Sequence, residues 1–129
     1  MTTSKIIDEL RQFPLVYVGS PYTKYPLGIH LAFVEACRLT CKLMQMGINV
    51  YSPIAHTHPL ATYGNVDPLS HAIWIKFDEA IMAKADAMIV LMLDTWEKSY
   101  GVTHEIQSFK DSRKPVYYLE PEKILTWTS

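Results

Sequence analysis

Residues 86–105 read DAMIVLMLDTWEKSYGVTHE, a near-continuous apolar run that passes through a polar stretch into a helical pattern. A strand covered on both faces needs apolar side chains at odd and even positions alike, and residues 86–93 supply them. The helix that follows is expected from about residue 101 to 111, with Glu105 in its first turn. That places a carboxylate at the carboxyl end of a strand, where open α/β sheets bind their ligands. Ser99, the Gly101 and Val102 amides and Glu105 are expected around one polar ligand.

Upstream, residues 15–19 form a short apolar run closed by glycine, and the loop SPYTKYP leads into a helix beginning near residue 27. Leu31, Val34, Ala36, Leu39, Leu43 and Met46 recur at helical spacing, and Gly47 supplies the stop. Residues 48–52 read as a second strand. Residues 53–67 hold Pro53, Pro59, His56, His58, Gly64 and Asn65, with Pro68 just beyond, and read as a long turn-rich connection. Residues 69–85 turn helical, with Ile73, Phe77, Ala80 and Ile81 inward, and residues 115–119 supply a further strand. SKIIDELRQF near the start predicts a short helix, and PEKILTWTS a C-terminal helical turn. Strands alternating with helices predict a single-domain Rossmann-like (flavodoxin-like) α/β fold spanning 1–129, a parallel sheet of four to five strands with helices on both faces.

Composition narrows the function. With 129 residues, 49% of them hydrophobic, the chain builds one core and no second domain. Twelve basic residues against thirteen acidic ones, a net charge of -1, give no electrostatic reason to bind nucleic acid. No apolar stretch is long enough to cross a membrane, and the N-terminus lacks a signal-peptide core, so a cytoplasmic location is expected. Cys37 and Cys41 lie on one helical face and read as reduced core or near-core thiols. His56 and His58 form too small a group for a metal site, and no glycine series of the dinucleotide or phosphate-loop kind is present. No metal or other cofactor is expected.

The residues with chemical capacity then gather at strand ends. Glu105 is either a carboxylate that favours the helix N-terminus or a nucleophile or base facing a pocket. Asp78, in WIKFDEAIMAKAD, is either solvated or the second member of a carboxylate pair of the kind glycosidic bond cleavage needs. Ser20 and Tyr22 offer hydroxyls and a ring after the first strand. Ser99 suits a phosphate at a helix N-terminus or a plain N-cap. His56 and His104 are candidates near neutral pH, although His104, adjacent to Glu105 on a helix, turns partly away from it. Trp74 and Trp96 are candidate walls for a planar base, with Trp96 the stronger because it precedes the helix. Asp86 reads as a turn or cap.

Three segments resemble the nucleoside 2-deoxyribosyltransferase superfamily, which includes the deoxynucleoside 5'-monophosphate N-glycosidases and cytidylate N-glycosidases. They are VYVGSPYT, FDEAIMAKADAMIVLM and SYGVTHEIQSFKDSRKPVYYL. The resemblance implies that Glu105 attacks the anomeric carbon to form a covalent glycosyl-enzyme, and that Asp78 contacts the sugar and assists departure of the base. It puts Tyr22 near the sugar and nucleophile, and Ser20 and Ser99 on a 5'-phosphate. The first loop lacks the arginine and glycine-rich run of the monophosphate hydrolases, and Lys24 is the residue able to supply that charge. The implied activity is N-glycosidase, with hydrolysis ahead of base exchange, on a small-molecule nucleoside or nucleotide. The implied assembly is a homodimer or higher homo-oligomer. The alternative from a different class is a non-catalytic nucleotide-binding or sensing domain.

Overall fold

The computed structural model describes residues 1–128. Its elements run α1 (Thr3–Leu10), β1 (Val16–Gly19), α2 (Ile29–Gln45), β2 (Val50–Tyr51), α3 (Pro53–Gly64), α4 (His71–Lys84), β3 (Ala87–Leu91), α5 (Tyr100–Asp111), β4 (Val116–Leu119) and α6 (Pro121–Leu125). The four strands form one parallel sheet in the order β2-β1-β3-β4. This is a single-domain α/β fold of Rossmann-like architecture, as expected. The expected C-terminal turn is α6, and Ser129 lies outside the described residues.

Side-chain alternation along the strands sorts the core into two clusters. Val16 and Val18 of β1, with Ala87, Ile89 and Leu91 of β3, face Ile7 and Leu10 of α1, Leu39 and Leu43 of α2 and Ile124 of α6. Tyr17 of β1, with Met88 and Val90 of β3, faces Met82 at the end of α4 and Val102 and Phe109 of α5. Truncating a fully buried member such as Leu39 or Ile89 to alanine costs about 2–5 kcal/mol. Asp86, read from the sequence as a turn or cap, instead makes a long-range contact, its Oδ2 accepting from the amide of Leu15, just before β1, at 3.1 Å.

Several local expectations are corrected. Residues 53–64 form a helix instead of a turn-rich connection. Ser52 Oγ caps it by accepting from the Ala55 amide at 3.2 Å, and Pro53 occupies the first turn, where a missing N–H is harmless. Pro59 lies inside the helix, which ends at Asn65 in the left-handed conformation, φ 56°. On α4, Ile73 (52% exposed), Phe77 (42%) and Ala80 face outward, while Trp74, Ile75, Asp78 and Met82 turn in. On α2, Leu31 and Val34 are exposed and the smaller Ala32 and Ala36 take the buried face. Cys37 is a half-buried free thiol and Cys41 is exposed, not a core thiol.

Candidate active site

The strand order changes direction at β1. The chain leaves β1 for β2 on one side, then returns past β1 to β3 on the other, and this switch point opens a crevice at the strands' carboxyl ends. A pocket occupies it. The loop after β1 contributes Ser20 and Tyr22, α3 contributes Ile54 and Thr57, α4 contributes Trp74 and Asp78, and α5 contributes Gly101 and Glu105. Glu105 and Asp78 are thus brought to one pocket from different helices. Glu105 lies in the second turn of α5, not the first, because Ser99 caps the helix and Tyr100 begins it. From the second turn, the side chain reaches back over β1.

There Glu105 meets two strand residues. The Tyr17 hydroxyl donates to Glu105 Oε2 at 2.5 Å. Gly19, the next residue on that face of β1, leaves room for the other oxygen, since a Cβ built on it would lie 3.0 Å from Glu105 Oε1 and 2.5 Å from Met88 Cε. Glycine is needed there for close approach. Gly101 also lines the pocket, yet a Cβ on it would meet only Ser99 Oγ at 3.9 Å, so sterics do not demand glycine at that position.

Both carboxyls hold their protons more tightly than free side chains do. Burial raises Glu105 to about 8; the hydrogen bond from Tyr17 opposes the rise and the charge of Asp78 adds to it. Burial raises Asp78 to about 7, and its Oδ1 is buried with no hydrogen-bond partner. Burial, then the charges of Glu105 and Asp78, push the Tyr17 phenol far up, so it stays a donor. Both carboxyls therefore titrate near neutral pH in one pocket.

Ser99 Oγ accepts from the Val102 amide at 3.2 Å, so its N-capping role is realised. The Val102 amide, expected to face a ligand, is taken up by that cap. Ser99 still lines the pocket, as does Ser20, whose buried Oγ has no partner. Tyr22 lines it too, with its hydroxyl 2.5 Å from His58 Nδ1. His104 is also on the wall, its Nε2 3.9 Å from Glu79 Oε1.

Three expected site residues do not join this group. Lys24 is exposed in the loop after β1 and is not on the pocket wall. His56 sits on α3, its Nδ1 2.9 Å from the Tyr51 hydroxyl and its ring stacked on Phe77. Trp96 packs on Tyr118, ring centroids 5.5 Å apart, and borders a separate depression with Tyr25 and Glu120. Trp74 takes the wall position instead, its Nε1 donating to the Asp67 carbonyl at 3.1 Å. Tyr17 was not anticipated from the sequence, while Gly19 reads there only as the strand's closing glycine and His58 only as half of a pair too small for a metal site. For Tyr17 a signal existed: a phenol inside a wholly buried strand needs a hydrogen-bond partner.

Among the described residues, no group of three or more His, Cys, Asp or Glu side chains is arranged to hold a metal ion. None of their helices is long and apolar enough to cross a membrane. Residues 14–121 match the model of the family described as Domain of unknown function (DUF1937), and the chain belongs to that family. No curated protein matches the chain.

Proposed function

We propose that this member of the DUF1937 family breaks the N-glycosidic bond of a nucleoside or nucleoside 5'-monophosphate through a covalent glycosyl-enzyme, with water resolving the intermediate. One observation carries the reading: Glu105 and Asp78 share a pocket, with Tyr17 gripping Oε2 of Glu105 and Gly19 giving Oε1 room. A carboxylate held by one oxygen keeps the other free to form a bond.

In the first step Glu105 Oε1 bonds to C1' as the C1'–N bond breaks, and protonated Asp78 gives its proton to the departing base. In the second, the Asp78 carboxylate takes a proton from water, the oxygen bonds to C1', and the Glu105–C1' bond breaks. The Tyr17 hydrogen bond favours the ionised form of Glu105, which the first step requires. Trp74, Ile75 and Ile54 provide the apolar wall against which a planar base stacks. Ser20 and Ser99 offer hydroxyls to the sugar or its 5' substituent. A free base competing with water in the second step makes the same site a transferase.

The test is base release from a panel of ribo- and deoxyribonucleosides and their 5'-monophosphates, with and without a free acceptor base, and Glu105→Ala as control. Release that disappears in Glu105→Ala supports the reading, and exchange with the acceptor identifies transfer. Tight binding without release supports the sensing alternative.

A further inference from the structure

Among the described residues, Tyr22 is the one on the pocket wall whose hydroxyl is held by a histidine outside the pocket. His58 lies on α3 behind it, 9% exposed, with Nδ1 2.5 Å from the phenol oxygen and the rings edge-on at 5.7 Å. Phe33 of α2 stacks on the imidazole at 4.4 Å, and His30, also of α2, approaches its ring at 5.8 Å. Apolar rings at both positions would pack against Phe33 without desolvating an imidazole and a phenol, so stability alone does not explain a polar pair in an aromatic setting. A phenol hydroxyl has one proton to give and lone pairs to accept with. His58 satisfies one of these capacities and leaves the other for whatever occupies the pocket.

We infer that His58 is a positioning residue for the reaction proposed above: it acts through Tyr22, holding that hydroxyl as a hydrogen-bond donor to the departing base. The inference rests on the N-glycosidase reading. Burial, with His30 adding to it, lowers the pKa of His58 and keeps the imidazole neutral. In the tautomer carrying its proton on Nδ1, His58 donates to the Tyr22 oxygen, and the phenol O–H is left to point into the pocket. Burial also raises the pKa of Tyr22, which therefore remains protonated. No proton changes owner in this chain; Asp78 supplies the proton to the base, while Tyr22 donates a hydrogen bond to a second heteroatom. Negative charge builds on the base only as the C1'–N bond breaks, so the donor strengthens in the transition state and acts on kcat more than on KM.

The experiment compares wild type, Tyr22→Phe, His58→Leu, His58→Asn and the Tyr22→Phe/His58→Leu double variant. For each, kcat and KM for base release are measured, with thermal melting to confirm folding. His58→Leu is expected to lower kcat about tenfold or more with KM within about threefold. His58→Asn, whose amide reaches the position of Nδ1, recovers most of that loss. The double variant is expected to be no slower than Tyr22→Phe, since the histidine acts only through the phenol. Folded His58→Leu protein with wild-type kcat overturns the inference, as do losses that multiply in the double variant. Absence of base release from wild type across the panel overturns the N-glycosidase reading, and the inference falls with it.

Discussion

The Tyr17 hydroxyl donates to Oε2 of Glu105 at 2.5 Å, tying a residue in the middle of β1 to one 88 positions later on α5. This contact favours the charged carboxylate against a burial that disfavours it. Tyr17→Phe removes the favourable part alone. Glu105 then holds its proton more tightly, so base release is expected to fall about tenfold at neutral pH, and the alkaline limb of the pH–rate profile to move upward. An unchanged profile in a folded Tyr17→Phe protein excludes a role for the phenol in charging Glu105.

The profile of the wild type follows from the carboxyl pair. Catalysis needs Glu105 ionised and Asp78 protonated. With Asp78 raised to about 7 and Glu105 to about 8, the singly protonated pair carries its proton mostly on Glu105, and the reactive form is the minor arrangement of that pair. Below about 7 both are protonated and no nucleophile exists; above about 8 both are ionised and no acid exists. The dependence of kcat/KM on pH is expected to be bell-shaped with its maximum between these values, the two limbs belonging to the pair as a whole. A rate that keeps climbing to pH 10 contradicts Asp78 as the acid.

Glu105→Gln separates activity from stability. The folded protein holds the Glu105 proton up to about 8, against 4.5 for a free side chain, so it binds more protons than the unfolded chain between those values. Stability contributed by this group is therefore full below 4.5 and declines as pH rises toward 8. Glutamine carries no such charge and still accepts from Tyr17. The variant is expected to lose base release while gaining stability that grows across that window, up to roughly 5 kcal/mol at its top. Melting temperatures of both proteins at pH 5 and pH 9 check this; equal differences at the two values contradict it.

Gly19→Ala tests the close approach of strand and carboxylate. The new methyl meets the end of the Met88 side chain, which can swing aside, and Glu105 Oε1, which is pinned through its other oxygen. A modest destabilisation of about 1–3 kcal/mol is expected, with a disproportionate loss of turnover. Adding Met88→Leu, which removes the clashing terminal methyl while nearly keeping the core volume, relieves the first clash and recovers stability but not activity. Recovery of turnover in the double variant contradicts the crowding of Glu105.

Trp74 and Trp96 are expected to differ in kind. Trp74→Ala opens the pocket wall and raises KM by about tenfold. Trp96→Ala loses packing on Tyr118 and lowers the melting temperature without changing KM. A KM effect confined to Trp96 reverses the placement of the base.

Much of the frame could be read from local pattern. β3 is apolar at every position, as a strand buried on both faces must be, and Gly47 stops α2 with φ 89°. Glu105 and Asp78 were legible as candidates from spacing and resemblance. What was not legible depended on tertiary contact. α3 was hidden by a proline- and histidine-rich composition, although Ser52-Pro53 is itself a helix start. The α4 face was misread because Phe77 and Ile73 outrank Trp74 and Asp78 in hydropathy, whereas the pocket recruits the latter pair. Tyr22 and His58 meet across 36 residues, which no short window reveals.

The two-sided sorting of the core has a dynamic consequence. The strand core shared by β1 and β3 is sealed against α1, α2 and α6, while α4 rests on the opposite cluster chiefly through Met82 and the neighbouring Ala85, with Ile73 and Phe77 facing outward. Amide protons of β1 and β3 therefore exchange with solvent only when the whole molecule opens, whereas those of α4 exchange through a smaller, local excursion. Local opening is therefore expected at the wall that carries Trp74 and Asp78, where a ligand of the proposed kind would enter and leave without loosening the frame beneath it.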